Sequence, residues 1–118
     1  MKIIIYDDDK DILFVTFTIL KRYGYEVLCR ENCSQLVTDL ESFQPQLILM
    51  DNWMPDMNGV QAIQYIKTQD AFKNIPVIFF SANASVEDLA VEAGADGLLK
   101  KPFDAKDLQT MITKLVPA

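Results

Sequence analysis

The sequence predicts an α/β domain built on an open, doubly wound parallel sheet of five strands and five helices. Three observations predict it. Short apolar runs alternate with segments whose apolar residues recur at helical spacing, with no long linker between them. Ile3-Ile4-Ile5 and Leu47-Ile48-Leu49-Met50 do not alternate with polar residues, as strands covered by helices on both faces require. Polar residues able to carry chemistry follow four of the runs, at the carboxyl ends of strands where ligands of such folds bind.

The first strand is Ile3 to Tyr6, closed by Asp7-Asp8-Asp9. A helix follows from Asp11 to Tyr23, with Ile12, Val15, Ile19 and Tyr23 at helical spacing. Lys21 and Arg22 suit the negative end of its dipole, and Gly24 is free to take a left-handed stop. Strand Glu26 to Cys29, helix Ser34 to Ser42 and strand Gln46 to Met50 come next, with Pro45 marking entry to the last. A loop containing Pro55 leads to a helix from Gly59 to Lys67 and then to strand Val77 to Phe80. The fourth helix is expected to open near Ser85, where Ser85 and Asp88 have the spacing of a capping box, and to stop at Gly94. Strand Gly97 to Leu99 passes through Lys101-Pro102 to a last helix, opened by Asp104 and ending near Val116.

The 118 residues are expected to form one domain, half of them hydrophobic and 24% charged, a balance that supports a core. No apolar run approaches the roughly 20 residues of a membrane-spanning helix. The acids from Asp7 onward interrupt any signal-peptide apolar region, so a cytoplasmic protein is expected. Met1 lies close enough to the first strand to be a native start. A net charge of -6 lacks the basic footprint of nucleic-acid binding. Cys29 and Cys33 form a lone C-x3-C pair in a chain without histidine, so inert thiols are expected rather than a zinc site.

Asp7, Asp8, Asp51, Ser81 and Lys101 are expected to meet on one rim. Crowded carboxylates repel one another, and a dication relieves the repulsion. Magnesium suits oxygen donors and keeps positions open for water or phosphate oxygens; calcium or manganese can substitute in vitro. Under that charge, Asp51 becomes a competent nucleophile toward a phosphoryl group, with Lys101 as a second positive charge and Ser81 as a hydroxyl donor beside the small Ala82. An acidic run, a serine or a lysine at a strand end is each ordinarily a capping or solvated residue. Asp51 is the exception, because it directly follows the most hydrophobic strand.

Together Ile3 to Asp9, Leu47 to Asp51 with Met54-Pro55-Asp56-Met57-Asn58-Gly59, Val77 to Ala82, and Gly94-Ala95-Asp96 through Lys101-Pro102-Phe103 resemble the receiver domain of bacterial response regulators, over Lys2 to about Val116. The resemblance implies a flavodoxin-like fold with strand order 2-1-3-4-5 and a signalling receiver of a two-component phosphorelay rather than an enzyme. It implies that Asp8 and Asp51 ligate magnesium directly, that Asp7 acts through water, and that the Trp53 carbonyl completes the set. Asp51 would accept a phosphoryl group from a histidine kinase or histidine phosphotransfer protein, shifting the domain between two conformations; a phosphorylation-dependent homodimer is also implied. With no histidine, the chain cannot be its own phosphohistidine donor.

Two positions depart from the pattern. Leu98 stands three residues before Lys101, where the family usually carries an aromatic switch residue, and Trp53 places an indole where it would partly roof the pocket. Ile12, Phe14, Val15 and Phe17 are expected to be mostly core, with one or two of them and Phe103 forming a rim that docks the partner's helices. Three rival readings remain. A haloacid-dehalogenase-like phosphatase would use Asp7 and Asp9, but Asp11 stands where that family carries Thr or Val. A flavin binder would meet repulsion from Asp7-Asp8-Asp9. A degenerate receiver would act as an interaction module without phosphorylation, with Leu98 its best support.

Overall fold

The structure is a computed structural model and describes residues 1–117. Five parallel strands, β1 (Lys2–Tyr6), β2 (Glu26–Arg30), β3 (Leu47–Asp51), β4 (Val77–Ser81) and β5 (Gly97–Lys100), lie in the order β2-β1-β3-β4-β5. Helices α1 (Lys10–Arg22), α2 (Leu36–Phe43), α3 (Gly59–Thr68), α4 (Ala84–Ala93) and α5 (Ala105–Leu115) make the crossovers. The element count is the one the sequence pattern predicts, and the strand order is the flavodoxin-like one the family resemblance implies.

Successive strand residues point to opposite faces, which sorts the apolar runs into two cores. On one face Ile4, Tyr6, Ile48, Met50 and Phe79 pack against α2, α3 and α4 through Leu40, Ile63 and Ala90. On the other Ile3, Ile5, Leu49, Ile78 and Phe80 meet α1 and α5 through Leu13, Leu20, Leu108 and Ile112. Fully burying such a Leu or Ile contributes about 1.5–3 kcal/mol, which is why the central strands tolerate no polar alternation.

Helix ends follow local chemistry. Asp9 caps α1 by accepting from the amides of Asp11 and Ile12, and Gly24 beyond its end takes φ 86. Asn58 with Gln61, and Asp104 with Asp107, form reciprocal capping boxes on α3 and α5.

Three expectations need correction. The cap of α4 is Asn83, whose side chain accepts from the Val86 amide; Ser85 lies inside the first turn and donates to the Asn83 side chain. The chain reaches its helical path one residue before Ser85, so Asn83 has the extended backbone a cap needs. Helix α2 begins at Leu36 rather than Ser34. The stripe of α1 is rotated: Leu13, Thr16 and Leu20 face the core, whereas Phe14, Val15 and Phe17 are exposed, Phe14 by 71%. The helix is apolar almost all round, so periodicity alone does not single out the buried face, and packing decides it.

Candidate functional site

Strand pairing brings the polar residues together. Strand order reverses beside β1 and β3, and the residues at their carboxyl ends open into the crevice this reversal creates. Asp51 is the last residue of β3, paired with Phe80, and Ser81 is the last of β4, paired with Lys100. Both strands thus run one residue further than the apolar pattern suggests. Asp51 and Ser81 are held in the sheet, 4% and 2% exposed.

Carboxylate oxygens of Asp7, Asp8 and Asp51 lie within 4.8 Å of one another. Lys101 reaches across from the β5–α5 loop, its Nζ donating to Asp7 Oδ2 and Asp51 Oδ1, each at 2.9 Å. Its backbone amide donates to the Ser81 carbonyl, at 2.9 Å, and its ammonium stands 5.8 Å from the centroid of the Phe80 ring. Burial pulls the Lys101 pKa down, but hydrogen bonds to Asp51 and Asp7 and their negative charge outweigh it, so the group stays firmly protonated. Burial raises the Asp7 pKa above its ordinary value, against the opposing pull of the Asp9 amide and Lys101. The Asp9 amide reaches Asp7 Oδ1 at 3.0 Å. Three carboxylates thus face one ammonium, an imbalance of two negative charges that one dication would neutralise. The oxygen-only donor set fits magnesium.

The loop after Asp51 is drawn tightly against it. The Gly59 amide donates to the Asn52 carbonyl, at 3.0 Å. A Cβ on Gly59 would overlap the Asp51 carbonyl oxygen, so only glycine permits α3 to start here. The Asn52 side chain, buried and overlooked in the sequence, accepts from the Val60 amide and ties the same loop to α3. Trp53 lies two residues beyond Asp51 with 63% of its surface in solvent. Ser81 does not direct its hydroxyl at Asp51; it donates to the Asn83 carbonyl at 2.9 Å.

The expected hydrophobic rim is also differently composed. Phe103 packs on Phe80, ring centroids 5.0 Å apart, and Ile12 is half-buried, leaving Phe14, Val15 and Phe17 as the exposed apolar residues of α1.

Residues 3–113 match the family described as response regulator receiver domain. The chain belongs to that family. Protein PilG of Pseudomonas aeruginosa is 32% identical over 120 residues, covering 100% of this receiver domain and 89% of PilG. The phosphate regulon transcriptional regulatory protein PhoB of Escherichia coli is 30% identical over 113 residues, but the match spans only 49% of PhoB and 94% of this chain. Among solved structures, the receiver domain of the sensor histidine kinase PA1611 from Pseudomonas aeruginosa, which has a magnesium ion coordinated in its active-site cleft, superposes with a TM-score of 0.91 at 27% identity. That match covers 99% of this chain and 98% of the other. Receiver domains are signalling modules of two-component systems. None of the helices among the described residues of this one is long and apolar enough to cross a membrane.

Proposed function

We propose that this receiver domain accepts a phosphoryl group on Asp51 from a phosphohistidine of a histidine kinase or histidine phosphotransfer protein, and that phosphorylation shifts it between two conformations. The observation that carries the reading is the placement of Asp51, at the end of β3, within reach of two further carboxylates and 2.9 Å from the Lys101 ammonium. Lys101 holds Oδ1 of Asp51, while Oδ2 accepts no hydrogen bond from the described residues and serves as the attacking oxygen. Attack forms the Oδ2–P bond as the donor's N–P bond breaks; the imidazole keeps the electron pair and takes a proton from water.

Asp8 and Asp51, with Asp7 through water and the Trp53 carbonyl, would hold magnesium, which neutralises charge on the transferring oxygens. Lys101 adds a fixed positive charge on the other side, and Ser81 donates to a phosphoryl oxygen once its hydroxyl turns from the Asn83 carbonyl. These groups only position and stabilise, so the domain catalyses its own phosphorylation and dephosphorylation and no other turnover. The exposed Phe14, Val15 and Phe17 supply an apolar surface for the partner's helices.

The test is incubation with acetyl phosphate, with and without magnesium, followed by intact mass measurement. A magnesium-dependent phosphoryl adduct on the wild type that is absent from Asp51→Asn is expected. An adduct that persists in Asp51→Asn overturns Asp51 as the acceptor; its absence from the wild type with acetyl phosphate and a kinase donor alike overturns the reading in favour of a phosphorylation-independent interaction module.

A further inference from the structure

Behind the acid pocket lies a second polar group that the phosphoryl chemistry does not use. Tyr6 ends β1 wholly buried, and its hydroxyl donates to Asp39 Oδ2 of α2 at 3.1 Å. Asp39 is itself only 3% exposed and is gripped by Arg30, the last residue of β2, through Nε at 3.1 and 3.2 Å and Nη2 at 2.9 Å. Tyr6 and Arg30 are the final residue pair between β1 and β2. One step beyond, the Asp7 amide donates to the Arg30 carbonyl at 3.0 Å. The bonds close a ring that runs from Tyr6 along the chain to Asp7, across to Arg30, through its guanidinium to Asp39, and back to the Tyr6 hydroxyl.

We propose that Asp39 and Tyr6 are positioning residues for the metal-binding acids, setting the path of the Asp7-Asp8 peptide through Arg30. This rests on the phosphoryl-acceptor reading of the site. Ordinary strand pairing ends at Tyr6, so beyond the side-chain contacts of Asp7 with Lys101 and the Asp9 amide, the backbone of Asp7 is tied to the sheet by its bond to Arg30, whose side chain is held by a buried carboxylate. The pair is charge-assisted and bidentate, with Asp39 buried and the Arg30 side chain partly exposed, so its geometry and the buried carboxylate's need for a partner make Arg30 an anchor. Magnesium tolerates little departure from octahedral geometry, so loosening this anchor would be felt as weaker metal binding. A staple that merely docked α2 on the sheet would not need the link from Arg30 to Asp7.

Tyr6→Phe removes one oxygen and keeps the ring; Asp39→Asn keeps the shape and removes the charge. Magnesium binding is titrated by the fluorescence of Trp53, the single tryptophan, and by the amide chemical shifts of Asp7 and Asp8, alongside thermal melting. Each variant is expected to bind magnesium on the order of threefold to tenfold more weakly, less than the roughly 10- to 100-fold typical when a partner touching a ligand is removed. Phosphorylation by acetyl phosphate should recover to the wild-type rate at saturating magnesium, since the reacting groups are intact. The double variant should be no weaker than the worse single one, because both break the same ring. Unchanged magnesium affinity in folded variants, with only the melting temperature lowered, overturns the proposal. Should Asp39→Asn fail to fold, Tyr6→Phe decides alone. A wild type that binds no magnesium overturns the acceptor reading itself, an outcome distinct from variants that match a binding wild type.

Discussion

Lys101 occupies the carboxylates that a cation would bind. Its ammonium neutralises part of the charge on Asp7 and Asp51, and it would compete with a magnesium ion for those carboxylates. Opposite effects of Lys101→Ala on two measurements are therefore expected: tighter magnesium binding by titration, and phosphorylation by acetyl phosphate slowed by about 100-fold for loss of a preorganised charge. A second residue-scale prediction concerns Cys33. Burial, with the negative charge of Asp39 adding to it, pushes its thiol from 9.0 up to about 12. Between those values the unfolded chain loses the proton while the folded chain keeps it, so ionisation favours unfolding. Stability is full below pH 9 and falls as pH rises from there toward 12. Urea unfolding midpoints measured from pH 8 to 10.5 should decline, and Cys33→Ala should flatten the decline. Burial raises the Tyr6 hydroxyl further still, with Asp39 again contributing, so Tyr6 adds a similar loss above pH 10.

At the scale of the element, α1 is the informative case. Its cap at Asp9 and its basic last turn would serve any helix, but its apolar residues exceed what the core can take. Leu13 and Leu20 enter the core, while Phe14, Val15 and Phe17 stay in water, beside the loop that carries the three acids. These exposed residues are the docking surface proposed above. Phe14→Ala is expected to slow transfer from a partner phosphohistidine about tenfold while leaving the rate with acetyl phosphate unchanged, because the small donor needs no docking surface. Equal rates with both donors would remove α1 from the interface. Helix α4 illustrates the opposite economy: its N-cap Asn83 also accepts the Ser81 hydroxyl through its carbonyl, so the turn of Ser81 toward a phosphoryl group would release a contact at the start of α4.

For the molecule as a whole, the charge distribution matters more than the net value of -6. The fold gathers Asp7, Asp8 and Asp51 at one end of the sheet, and the folded state carries their repulsion in return for a site. Magnesium bound only by the folded chain should raise its stability by about 2.7 kcal/mol at a hundredfold excess over Kd, roughly 10 °C in melting temperature. Thermal melts with magnesium and with a chelator check this, and Asp51→Asn should lose much of the difference. Leu98 bears on output at the same scale: it is half-buried against the α2–α3–α4 core beside Phe79, with no ring to swing between solvent and interior. The Ser81 hydroxyl's bond to the Asn83 carbonyl, at the cap of α4, does not involve Leu98.

By itself the sequence determined the order of strands and helices, the burial of both sheet faces, and the strand ends at which Asp7, Asp8, Asp51, Ser81 and Lys101 stand. These are local matters: apolar run length, helical spacing and cap chemistry each act over a few residues. Tertiary structure alone decided the rest. Which apolar residues of α1 are buried depended on how the helix packs on the sheet and its neighbours, and the direction of the Ser81 hydroxyl depended on where the Asn83 carbonyl came to lie. The ring of Tyr6, Arg30 and Asp39 was invisible for the same reason: Tyr6 reads as one more apolar strand residue and Asp39 as a solvated helix acid. Their bond spans 33 positions that only the pairing of β1 with β2 and the packing of α2 bring together. Long-range partners carry no sequence period, so their chemistry becomes legible only when the chain has closed on itself.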